Sequence, residues 1–184
     1  MIVEGEFTFQ GPREVIWDLL QDPAVLSKAL PGAKTLTKTA EDRYEGAMQV
    51  GVGPVTAGEF SVSVALGDKV PPQSFSMQVE GKGGIGFSRG AARVELTALE
   101  SGGTLLKYRA DLQIGGKIAG VGQRVLDSAA RTMTRQGLEA LNRELQARVS
   151  GAPAPAARSR TPYWIAAAAA LIALVFTLCA VQGP

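Results

Sequence analysis

From residue 2 to residue 114 the chain alternates between apolar and polar positions. In "IVEGEFTFQ", Val3, Phe7 and Phe9 fall on one side and Glu4, Glu6 and Thr8 on the other. Phe60, Val62, Val64 and Leu66 share a face in "EFSVSVAL", and Phe75, Met77 and Val79 share another, as do Val94 and Leu96. Leu106, Tyr108, Leu112 and Ile114 alternate with Lys107, Arg109, Asp111 and Gln113, and Tyr44, Met48, Val50 and Val52 complete the set. A period of two predicts antiparallel strands with one buried and one solvated face. Turn signals separate them: "GVGP" at 51–54, "PPQS" at 71–74 and "SGG" at 101–103.

Helical spacing replaces alternation in three places. Pro12 starts "REVIWDLLQ", which puts Val15, Ile16, Leu19 and Leu20 on one side. Asp22-Pro23 starts "PAVLSKAL", and Pro31-Gly32 stops it. From about Ile118 to Val149 a stripe runs through Val121, Val125, Ala129, Met133, Leu138, Leu141 and Leu145, which predicts a long amphipathic helix. Strand, two short helices, about six strands and a long helix make an α+β arrangement, a curved antiparallel sheet on one long helix. Where sheet and helix do not touch, an apolar cavity is left. Candidate walls are Trp17, Tyr44, Met48, Phe60, Val62, Met77, Val94, Leu106, Tyr108, Val125 and Met133. Tyr and Trp would offer a polar tip to a ligand carbonyl, and Met would adapt to an acyl or isoprenoid chain; ordinary core packing is the alternative for each.

Composition then removes whole classes of function. The chain has no histidine, the commonest general base and metal ligand, and one cysteine, Cys179, so neither a disulfide within the chain nor a zinc cluster can form. A triad hydrolase or metalloenzyme is disfavoured. All 17 acids lie before residue 150, and the net charge of +2 equals the contribution of Arg158 and Arg160. The domain before them is neutral, which argues against nucleic acid as a partner. "MIVEGEFTF" reads as a strand, not a leader, so the domain is expected in the cytoplasm.

The pattern changes at Ser150. "SGAPAPAARSRTP" is a Pro/Ala-rich linker (150–162). After it, Trp164 to Val181 is uncharged, and its eighteen residues would make a helix of roughly 27 Å against a bilayer core of about 30 Å. Tyr163 and Trp164 suit an interface, and Arg158 and Arg160 keep the preceding domain cytoplasmic. The reading is a domain over 1–149 held at the inner membrane by a single C-terminal transmembrane helix over 163–181.

Two glycine-rich stretches remain. "GKGGIGFSRG" (81–90) lacks phosphate-loop spacing and leads into a strand, and "GGKIAGVG" (115–122) precedes a helix with no strand after it. A steric role fits better: a bulged hairpin at a sheet end and a close helix start, together forming a cavity rim at Gly83, Gly84, Gly86, Gly116 and Gly120. Loop flexibility without a ligand is the alternative. Arg89 and Arg93 flank this rim as candidate contacts to lipid headgroups or an acidic partner.

The segments "PREVIWDLLQDPAVLSKALPGA", "VGPVTAGEFSV", "GKGGIGFSRGAARVEL" and "GGKIAGVGQRVLDSAART" resemble the carbon monoxide dehydrogenase G-subunit family, within the START-like, Bet v 1-like (SRPBCC) proteins. The resemblance implies a helix-grip fold around an apolar cavity. It also implies a non-enzymatic accessory protein that carries no molybdenum, flavin or iron–sulfur centre. Such a protein recruits a molybdenum hydroxylase to the membrane and connects it to quinone, an apolar ligand without a tightly bound cofactor. A lipid-binding module unrelated to any dehydrogenase, or a START-like cyclase or hydrolase, are the rival readings. If the anchor reading holds, the full chain resists alkaline carbonate extraction of its membranes, and truncation after Pro162 releases it to the soluble fraction.

Overall fold

The computed structural model describes residues 1–29, 32–50 and 58–149. The expected linker and membrane segment, Val52 and the 51–54 turn signal fall outside them. No helix among the described residues is long and apolar enough to cross a membrane.

Seven strands form one antiparallel sheet: β1 (Ile2–Phe9), β2 (Ala33–Ala40), β3 (Arg43–Val50), β4 (Gly58–Val70), β5 (Ser74–Gly83), β6 (Gly86–Ala98) and β7 (Thr104–Gly116). Their spatial order is β1-β7-β6-β5-β4-β3-β2, a meander from β2 to β7 with β1 added beside β7. The chain crosses from one sheet edge to the other through α1 (Arg13–Leu19) and α2 (Pro23–Ala29). A long helix, α3 (Gln123–Val149), follows β7 after a single 3-10 turn at Ile118–Val121. The sheet curves over α3 in a helix-grip arrangement, with α1 and α2 packed against its open side.

Alternation explains the layering. Val3, Phe9, Phe60, Val62, Val64, Phe75, Met77, Val79, Val94, Leu96, Leu106 and Leu112 are all buried, and their polar neighbours are exposed except beside Phe75, where Ser74 is buried and Ser76 half-buried. Strand β2 carried almost no apolar signal, because it is an exposed edge with only Leu36 and Ala33 packed on the core. The helical stripe is out of phase with the sequence reading at its start. Gly122 takes φ 92° and separates the 3-10 turn from α3, so the helical phase is set from Gln123. Leu126 and Ala130 therefore face inward, and Val125 is 43% exposed. From Met133 onward the expected positions Leu138, Leu141 and Leu145 are buried.

The two ends of α3 are held differently. Its last two turns are pinned by polar contacts to the β1–α2 segment. The Asn142 side chain accepts from the Gln10 amide at 3.1 Å, and Gln146 Nε2 donates to the Gln10 carbonyl at 2.6 Å. Arg148 donates to Asp22 Oδ2 at 2.8 Å. Asp22 also caps α2, accepting at Oδ1 from the amides of Ala24 and Val25. The Arg148 hydrogen bond, with both capping amides, holds the Asp22 carboxyl below its ordinary 3.8 despite partial burial. A carboxyl with a lowered folded pKa adds stability above its unfolded value and loses it as pH falls through the folded one. An exposed ion pair is worth about 0.2–1 kcal/mol and a cap about 1 kcal/mol. Asp22→Ala is thus expected to lower stability by about 1–2 kcal/mol at neutral pH, with the gap to wild type narrowing below about pH 4; urea unfolding at several pH values reads it.

Candidate functional site

Strand register sorts the inner face into rows. At the end where β5 turns into β6, Met48, Phe60, Gly83, Gly86 and Gly116 stand side by side. The next inward row is Gly46, Val62, Gly81, Ser88 and Ile114. Nearer the other end come Phe75, Val94, Tyr108 and Gly5. The sheet wall is therefore thinnest beneath the first turns of α3, where glycine and serine replace larger side chains. Sequence reading could not assemble those rows, because Gly46, Gly81, Ser88 and Ile114 meet only through register. Half-buried Ile85, Ile114 and Val121 belong to this end and were not among the expected wall residues.

The glycines are explained by what lies on them. The Phe60 ring covers Gly83, directly opposite it, so a Cβ there would fall 2.9 Å from the ring. Tyr108 covers Gly5 and, on the outer face, Phe87 covers Gly115 in the same way. Gly116, at φ 96°, approaches Gly86 so closely that a Cβ would lie 2.5 Å from the Gly86 Cα. The 81–90 segment is a regular hairpin with Gly84-Ile85 at its tip, not a bulged one, since the β5–β6 ladder runs without a shift from Ser74↔Glu95 to Gly83↔Gly86. Gly120 sits in the 3-10 turn.

Of the expected wall residues, Met48, Phe60, Val62, Met77, Val94, Leu106 and, from α3, Met133 are buried between sheet and helix. Phe60, Val94 and Leu106 retain no accessible surface, so no water-sized void touches them as the core is packed here. Trp17 stands edge-on to Phe75 with centroids 5.6 Å apart. The Tyr44 hydroxyl donates to the Gln21 carbonyl at 2.9 Å, and Tyr108 hydrogen-bonds the Thr134 side chain. Burial raises both phenol pKa values, opposed at Tyr108 by Thr134 and Arg131. Both tyrosines thus have their polar tips on protein. Val125 lies outside the wall, for the reason of phase given above.

The two candidate rim arginines separate. Arg89 lies near the hairpin on the outer face, its Nε donating to Gln113 Oε1 at 2.9 Å. Arg93 pairs with Glu95 at 2.9 Å. It sits seven residues beyond Gly86 on an extended strand, roughly 23 Å away, and is not a rim residue. The outer face also holds an open groove of about 780 Å³. Its lining includes Thr35, Thr37, Ala47, Ser61, Ser63, Lys82 and Phe87, residues that alternate with the buried ones.

Comparison with known proteins supplies the family. Residues 5–146 match the family model of the carbon monoxide dehydrogenase G subunit (CoxG). No curated protein matches. A conserved protein from Geobacillus kaustophilus has a solved structure 30% identical in sequence, with a TM-score of 0.75, covering 79% of this chain and 95% of that one. A START superfamily protein from Mycobacterium smegmatis is 14% identical with a TM-score of 0.61, covering 79% and 97%. The Zhui aromatase/cyclase from Streptomyces sp. R1128 is 15% identical with a TM-score of 0.61, covering 83% and 99%. The last two likenesses are of fold.

If the Tyr44 hydroxyl serves the fold, Tyr44→Phe leaves the Gln21 carbonyl unpaired, at a cost of about 1–2 kcal/mol. A hydroxyl reserved for a ligand would instead leave unfolding of the free protein unchanged in urea titration.

Proposed function

The chain belongs to the CoxG family of carbon monoxide dehydrogenase accessory proteins, and we propose accordingly that it is a membrane-held protein that brings a molybdenum-containing dehydrogenase to the inner membrane and takes a quinone or similar apolar ligand between sheet and helix. The family match over 5–146 carries the reading. The inner face agrees with it: an apolar wall that thins to Gly46, Gly81, Gly83 and Ser88 under the first turns of α3. Apolar burial supplies the affinity, at roughly 25 cal/mol per Å² before ordering costs.

Because Phe60, Val94 and Leu106 are fully packed, ligand uptake requires the sheet and α3 to part. The C-terminal turns are tied to Gln10 and Asp22, so the movable end is the N-terminal one. Gly116 and Gly122, both at positive φ, flank the 3-10 turn on which it would pivot. Anchoring through 163–181 then makes the chain a local hand-over point between a soluble enzyme and the quinone of the bilayer, not a diffusing carrier.

Native mass spectrometry of the full chain, extracted from its own membranes in mild detergent, tests this. About one quinone per chain, with dehydrogenase subunits co-purifying, is expected. A chain that carries no apolar ligand, in cells whose dehydrogenase stays at the membrane without it, refutes the reading. A phospholipid in place of quinone and no associated dehydrogenase would establish the rival lipid-binding module.

A further inference from the structure

The end of the domain that carries the glycine hairpin has a distinct charge and an exposed apolar tip. Register and connectivity place residues 81–90 and 115–126 together there: Gly83 pairs with Gly86, Gly86 with Gly116, and the 3-10 turn and the start of α3 follow at once. These two segments contain Lys82, Arg89, Lys117 and Arg124 and no acid; the acids that border them are Glu80, opposite Arg89, Asp127, and Glu59, which pairs with Lys34. The domain as a whole is neutral, so everything else in it carries a matching excess of acids. Among the described residues none of the four cations forms an ion pair, although Arg89 bonds Gln113. Phe87 is 47% and Val125 43% exposed at the same end. Phe87 with Lys82 opposite it, and Val125 with Arg124 beside it, pair exposed apolar surface with cations, as a surface of anionic headgroups over hydrocarbon requires.

The geometry of the tether matters as much. Helix α3 leaves this end and finishes at the other, beside Gln10 and Asp22. Its 27 residues span roughly 40 Å. The thirteen residues from Ser150 to Pro162 separate that exit from the apolar run. As extended Pro-rich chain they reach about 40 Å, at roughly 3.1 Å per residue. The tether is long enough to bring the opposite end of the domain back to the bilayer that holds it, with nothing to spare.

We infer that the glycine end docks on the anionic surface of the anchoring bilayer, Phe87 and Val125 at the headgroup level and Lys82, Lys117 and Arg124 around them. This rests on the anchored reading above. It places the thin part of the sheet wall, and the end of α3 free to move, against the membrane from which an apolar ligand is taken.

The test uses the full chain in vesicles of phosphatidylcholine with or without phosphatidylglycerol. A spin label is attached at Gly84→Cys in a Cys179→Ser background. A Cβ at Gly84 meets nothing within 4 Å, so the probe does not disturb the tip. Power saturation with oxygen and a water-soluble nickel chelate reports immersion. The oxygen-to-nickel collision ratio is expected to rise several-fold in the anionic vesicles. The rise should vanish in the Lys82→Gln/Lys117→Gln/Arg124→Gln variant, and in a chain lacking Ala152–Ala157, whose tether is too short. A label that stays open to nickel in both vesicles, on a chain that resists carbonate, overturns the docking and leaves the anchor standing. A chain that carbonate extracts overturns the anchor and the docking with it. Shielding that appears only on adding dehydrogenase subunits also overturns the proposal, and assigns the tip to a protein partner.

Discussion

The sheet that packs on one helix has aromatic rings lying across glycines on the neighbouring strand. Phe60 on Gly83, Tyr108 on Gly5 and, outside, Phe87 on Gly115 are directly opposed pairs. Each ring covers backbone that a side chain would otherwise hold away. A Cβ at any of these glycines meets its aromatic partner at 2.9 Å or less, so the pair is a single packing unit. Glycine weakens a strand on its own, and the ring laid over it restores buried contact.

A second consequence is an asymmetry along the helix axis. One end is a polar clasp, with Asn142, Gln146 and Arg148 reaching Gln10 and Asp22 and the Thr104 hydroxyl donating to the Gly11 carbonyl at 2.8 Å. Leu145 packs on buried Gly11 beneath it. The other end has a single 3-10 turn, two glycines at positive φ and a wall of small residues. Directional hydrogen bonds hold the clasp in one geometry. Apolar contact at the far end is non-directional.

Much of this was legible along the chain, and the misses share a cause. Strands β4 to β7 declared themselves because one face of each is fully buried, and the fold class followed. Strand β2, "AKTLTKTA", did not, because an edge that packs only Ala33 and Leu36 on the core has no alternation to read. The α3 stripe slipped at Val125 because the period counted back through Gly122, where the helix had not begun. Arg93 was assigned to the rim by nearness to a glycine run, whereas an extended strand carries a residue away at about 3.3 Å per step.

Residue type and period alone settle the α+β order, the apolar inner face, the lack of histidine and of any disulfide within the chain, and the presence of two glycine segments, since each is a local property of the chain. Folding adds what the glycines meet, which end of α3 is fastened, and the engagement of the Tyr44 and Tyr108 hydroxyls by Gln21 and Thr134. Those facts join residues far apart in the chain, on different strands or on a strand and a helix. They exist only once register has brought them side by side.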